Sequence, residues 1–204
     1  MSVFSKKVDM EACLRKGLSQ ELILIMAFIE QQDYQLENYI SEFSEKLVVG
    51  GQGIKTNEYT DQVSVSNISN DQYDLDATFK QDLPNYIRKS QLLMLWTMLE
   101  DTLGYIVKEL SAKKNIRFRK KGNKESIFIY YVKWLEKIDR AGLASHRSVI
   151  FLNDNVREIR NSIVHGFKPK VQHKEIEVTK SGVLVSGKYV REVCMTINEL
   201  ARCV

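Results

Sequence analysis

A chain of 204 residues with 44% hydrophobic and 27% charged residues has the balance of an ordinary globular domain, and a chain of that length buries roughly 70% of the surface it exposes when unfolded. Its three cysteines, Cys13, Cys194 and Cys203, are odd in number and contain no Cys-x-x-Cys pair, which argues against a disulfide framework or a zinc cluster and for a reducing compartment. A net charge of +4 is too small, spread over the chain, to signal nucleic acid by itself.

The first residues, Met1 to Leu14, lack the apolar core of a signal peptide. The most apolar early run, Leu22 to Ile29, is too short to span a bilayer, so the expected location is cytoplasmic. With only two prolines, Pro84 and Pro169, long uninterrupted helices are expected. Asp9 to Val49 reads as the first helix, with a break allowed at Gly17 and Ser19 as an N-cap. Leu22, Ile25, Met26, Ile29, Leu36, Ile40, Phe43 and Leu47 recur in it at three- and four-residue steps, and Gly50, Gly51 and Gly53 stop it. Gly50 to Lys80 is polar and loop-like, with short strands allowed around Gln62 to Val65. Gly53-Ile54-Lys55-Thr56 is rejected as a phosphate loop, because Ile54 breaks the Gly-Lys-Thr adjacency and a helix precedes it.

Pro84 opens the strongest helix, running to about Ser111, where Leu92, Trp96, Leu99, Leu103, Ile106 and Leu110 form the seam of a helix packed along another. Within it Glu100 reads either as an exposed glutamate or as a carboxylate that holds a basic side chain. A basic run follows: Lys113, Lys114, Arg117, Arg119, Lys120, Lys121 and Lys124, with Phe118 inside it. It reads as a solvated loop or as a cluster that neutralises phosphates. Further helices are expected from about Lys124 to Asp139 and from about Arg147, or Asn153, to His165, closed by Gly166 and barred from continuing by Pro169. Between them Ala141-Gly142-Leu143 is a turn. The alternation Glu175-Ile176-Glu177-Val178, the turn at Lys180-Ser181-Gly182 and Val183-Leu184-Val185 predict a hairpin. Tyr189 to Cys203 predicts a final helix. No linker or repeat divides residues 1–204, which are read as one domain: an all-α bundle of about five helices with a small C-terminal β-hairpin.

The helix ending at His165 carries the chemistry. At about 100° per residue, Val156, Ile159 and Ile163 form an apolar stripe, and Arg157, Asn161 and His165 form a second, polar one. Arg160 falls between them, where a charge is costly without a partner or ligand. An arginine can grip a phosphate and stabilise a phosphorane-like charge. An imidazole can move a proton at a ribose hydroxyl, and the negative helix end favours the charged form of His165. His146 and His173 are read as surface residues.

Arg160 to His165, within Ile159-Arg160-Asn161-Ser162-Ile163-Val164-His165-Gly166, resembles the Arg-x4-6-His motif of the HEPN superfamily, many of whose members are ribonucleases. Arg140 to His146 matches the bare spacing too, but it crosses Gly142 and lacks a polar residue after the arginine. Leu83-Pro84-Asn85-Tyr86-Ile87-Arg88-Lys89-Ser90, running into Leu99-Glu100, resembles an earlier helix of these domains. The resemblance spans about Pro84 to Gly166, with the hairpin and last helix, 174–203, as a tail.

The resemblance implies a metal-independent endoribonuclease that needs no cofactor and leaves 2′,3′-cyclic phosphate ends. His165 would be the acid or base, Arg160 and Asn161 would hold the scissile phosphate with Arg157 assisting, and Glu100 would orient Arg160. It also implies RNA fed along Lys113 to Lys124, a homodimer with a composite cleft, and a toxin or phage-defence role with an antitoxin or similar regulator. The alternative is a non-catalytic module that binds RNA or nucleotide, or pairs with a partner protein. In that case Arg160 is a structural charge paired with Glu100, and His165 only ends a helix.

Overall fold

The computed structural model describes residues 10–51, 64–65, 68–70, 72–117, 121–123, 125–138, 140–180 and 182–204. Helix α1 is Met10–Gly51. Its buried residues Leu22, Ile29, Leu36 and Phe43 fall at seven-residue spacing, which is one face of the helix. Two expectations fail here. The helix runs unbroken through Gly17, and Ser19 lies in its interior rather than at a cap. The glycines do end it, at Gly51, whereas Gly53, Gln62 and Val63 lie outside the described residues.

The segment read as loop before Pro84 is shorter than expected. Strands β1 (Ser64–Val65) and β2 (Ile68–Ser69) pair antiparallel. Helix then begins at α2 (Leu75–Ala77), capped by the Asp74 carboxylate, and passes through a π-helical turn, Thr78–Asp82, into α3 (Leu83–Lys113). Proline explains the wide turn. Pro84 has no N–H to give to the carbonyl four residues back, and the Leu83 amide reaches past its α-helical partner to the Thr78 carbonyl. Burial of Leu75 and Phe79 holds this lead-in, with the Phe79 ring stacked on Phe43 at 4.9 Å between centroids. Pro84 stands in the first turn of α3 as expected, and the tertiary contact adds the helical lead-in ahead of it.

Helix α3 is the central post. The six seam residues are all buried, and so are Leu95, Met98 and Val107. A helix buried over that much of its surface has neighbours on several sides: α1, α4 (Ile127–Ile138), α6 (Arg157–His165) and α7 (Gly187–Cys203) all pack on it. At its end Asn115, at φ 52°, turns the chain in the left-handed conformation that asparagine tolerates best after glycine.

After α4, a 3-10 turn (Leu143–Ser145) leads into one continuous helical run: α5 (Arg147–Phe151), a second π-helical turn (Leu152–Val156) and α6. Gly166, at φ 71°, closes α6, and its N–H reaches the Ser162 carbonyl. The hairpin forms as expected, β3 (Ile176–Thr179) with β4 (Gly182–Val185), Val178 facing Val183. Ser186 then caps α7 by accepting the Tyr189 N–H. Five continuous helical runs, with the hairpin near the C-terminus and the short β1–β2 pair, make the described residues an all-α fold with a β-hairpin. No described helix is long and apolar enough to cross a membrane.

Candidate functional site

The second π-helical turn sets the site. The Arg157 amide bonds to the Leu152 carbonyl, one residue beyond the α-helical choice. The Asn153 carbonyl, which an α-helix would give to that amide, instead accepts from the Arg157 side-chain Nε at 3.1 Å. The guanidinium is thereby braced against its own helix. A single π turn of this kind is a frequent feature of functional positions.

Beyond it Val156, Ile159 and Ser162 are buried, and Arg157, Arg160 and Asn161 are half-buried on the remaining arc, with His165 exposed at the end. Ile163 packs, partly buried, against the core as the apolar stripe predicts, and beside it lies the buried Ser162. Its hydroxyl donates to the Phe167 carbonyl, just past the glycine turn. The chain doubles back there, and the Lys170 amide donates to the Glu158 carboxylate. This return brings Phe167 alongside His165, with rings nearly parallel at 9° and centroids 6.4 Å apart. Sequence reasoning missed this rim, since it depends on a chain reversal after the motif.

Arg160 is not ion-paired among the described residues. Its Nη1 donates to Asn161 Oδ1 at 2.9 Å. Glu100 acts on it across space. Burial on α3 pushes the Glu100 carboxyl above the ordinary carboxylate value. A hydrogen bond from Trp96 and the nearby positive charges of Arg160 and Arg157 pull it down, Asp101 opposes them, and burial prevails. Glu100 is thus neither the exposed glutamate of the bland expectation nor a direct clamp on Arg160. It is a half-buried carboxyl within the field of both arginines.

Tyr131 of α4 joins this cluster and carried no signal in the sequence. Its hydroxyl is pushed up by burial and by the charge of Glu100. The hydroxyl end of the ring lies against Gly104, where a Cβ would sit 2.9 Å from the tyrosine Cζ and Oη. Only glycine at this helical position admits so close an approach.

A polar cleft of about 730 Å³ opens beside Arg157, lined also by Lys133, Asn153, Ser126, Asn123 and Glu125. It connects the end of the basic run to the start of α6. The run itself is divided. Lys113 ends α3. Lys114 Nζ donates to the Ile138 carbonyl at 3.2 Å and so closes the end of α4. Lys121 Nζ braces its own loop through the Gly122 and Glu125 carbonyls. Arg117 is exposed. Arg119, Lys120 and Lys124 lie outside the described residues.

The two histidines read as surface residues are not so. His146 caps α5 through Nδ1, which accepts the Ser148 N–H, and its Nε2 lies 3.6 Å from Cys203 Sγ. His173 is packed edge-on to Tyr189 and pairs with Glu192 at 3.4 Å, its side chain 14% exposed. Both are held by residues of α7. No group of three or more metal-ligating side chains occurs among the described residues. Comparison of the chain with family models, with curated proteins and with solved structures returns no match.

Proposed function

We propose that this chain is a HEPN-type, metal-independent endoribonuclease. The observation that carries the reading is the placement of the motif: two arginines and an imidazole on one short helix, none of them sealed in the core, with a half-buried carboxyl nearby and a polar cleft that Arg157 lines. Arg160 and Arg157 suit a scissile phosphodiester, whose transition state gathers charge on non-bridging oxygens. Cleavage proceeds by attack of the ribose 2′-oxygen on the adjacent phosphorus, with loss of the 5′-oxygen. The 2′-hydroxyl gives up a proton, the departing oxygen gains one, and a 2′,3′-cyclic phosphate remains. His165 moves one of these protons. The motif of one chain holds a single imidazole, so a second copy across a two-fold axis would supply the other. The cations of the basic run, with Lys168 and Lys170, would attract the RNA backbone. A toxin or phage-defence effector, restrained by a partner protein, is the biological role that fits such an enzyme.

The test uses purified protein with EDTA. Wild type cuts RNA to 2′,3′-cyclic ends, whereas Arg160→Ala and His165→Ala do not. Cleavage retained by both variants refutes the assignment. A parallel expression test expects growth arrest with wild type and none with His165→Ala. The tie between Arg160 and Asn161 favours a second reading, a non-catalytic RNA-binding module, because it occupies part of the guanidinium. Labelled RNA bound by wild type yet intact after hours would decide for that reading.

A further inference from the structure

We propose that the cavity between the start of α3 and the β3–β4 hairpin binds a phosphate monoester, with Arg88 and Lys174 as its cationic contacts. The cavity measures about 290 Å³, near the lower end for ligand sites. That suffices for one phosphate and a small attached group. Arg88 lines it, and its Nε is buried with no hydrogen-bond partner. Among the described residues no carboxylate pairs with this guanidinium. A buried guanidinium N–H without an acceptor is costly and is rarely left so.

The surroundings favour an anion. The guanidinium rests against Gly187, where a Cβ would lie 3.2 Å from Nε. Gly187 is the first residue of the 17-residue helix α7. Ser186 satisfies the Tyr189 amide of that helix, and the Gly187 and Lys188 amides precede any helical acceptor. A positive helix end beside an arginine favours negative charge there, which the Glu175 carboxylate also supplies through the Ser186 hydroxyl. Lys174 lines the same cavity with no acidic partner among the described residues, whereas Lys80 is already paired with Asp76. Two carboxylates also line the space. Glu175 accepts the Ser186 hydroxyl at 2.8 Å, and Glu177 is exposed. Their charge disfavours a di- or triphosphate more strongly than a single phosphate. Asn85 fixes the geometry by accepting the Val185 amide at 3.1 Å, which ties α3 to the hairpin.

This site does not rest on the ribonuclease reading, since it shares no residue with the Arg160 cluster. Binding is measured by calorimetry on the full chain with inorganic phosphate, adenosine 5′-monophosphate, and a short RNA with either a 5′-phosphate or a 5′-hydroxyl. The RNA arms use the His165→Ala protein so that the probe stays intact. Binding of phosphate-bearing probes is expected, weakened at least about tenfold by Arg88→Gln and more mildly by Lys174→Gln. Preference for the mononucleotide marks a free metabolite as the source, and preference for phosphorylated over hydroxyl RNA marks an RNA end. Lys174 is exposed, so its variant keeps the test valid if Arg88→Gln does not fold. Absence of binding by every probe, or binding that neither substitution changes, overturns the proposal.

Discussion

Glu100 shows how a single residue can sit against the stability of the fold. Its carboxyl is raised above the ordinary 4.5 because burial outweighs the arginines. Between 4.5 and the raised value the folded state holds the proton more tightly than the unfolded state. Stability therefore falls as pH rises through that window, and the deficit persists above it. Glu100→Gln should raise the melting temperature near neutral pH and change it little near pH 4. Equal shifts at both pH values would show that burial is not the cause. Gly104 is the counterpart in space rather than charge. Gly104→Ala places a methyl group 2.9 Å from the Tyr131 ring, and overpacking of this kind costs about 1–3 kcal/mol. In a Tyr131→Ala background the clash is gone, and the better helix propensity of alanine should give a gain of about 1 kcal/mol. Urea unfolding of the four proteins measures this coupling, and additivity would deny the contact.

Two glycines separate backbone geometry from available space at the level of elements. A Cβ at Gly17 or at Gly166 meets nothing within 4 Å. Gly17 lies inside α1, where Gly→Ala should stabilise by roughly 0.5–1 kcal/mol. Gly166 holds φ 71° at the end of α6, where an L side chain costs roughly 1–2 kcal/mol. The same substitution should thus shift the denaturation midpoint in opposite directions, and under the proposed function Gly166→Ala should also impair RNA cleavage by misdirecting Phe167 and the return past His165. Midpoints moving the same way would contradict this account. The two π-helical turns are likewise properties of elements. One answers to Pro84 and the other aims Arg157, and both arise where an i, i+4 bond gives way to a wider one.

At the scale of the whole molecule, the described residues form two apolar clusters of unequal size. The larger runs from α1 through α3 to the last residues, and the smaller contains Phe43, Leu75 and Phe79. The lead-in to α3 depends on the smaller. Phe79→Ala removes its stacked ring and should open residues 75–82 to hydrogen exchange while amides around Leu92 to Leu110 stay protected. Loss of protection throughout α3 would mean that the two clusters unfold together.

Periodicity alone placed the five helical runs, the hairpin and the polar stripe Arg157-Asn161-His165, because spacing along a helix or strand is a local property that the chain carries in its order of residues. Glycine at 166 marked the end of α6 and proline at 84 the start of α3 for equally local reasons, whereas the lead-in ahead of Pro84 was not legible, because it depends on Phe79 meeting Phe43. Tertiary structure decided what lies across from each face. It set Tyr131 against Gly104, put Glu100 in the field of two arginines from another helix, drew Lys114 to the end of α4, and took His146 and His173 from the surface to α7. None of these pairings has a spacing along the chain that predicts it, because each joins residues brought together only by the burial of apolar surface shared among several helices.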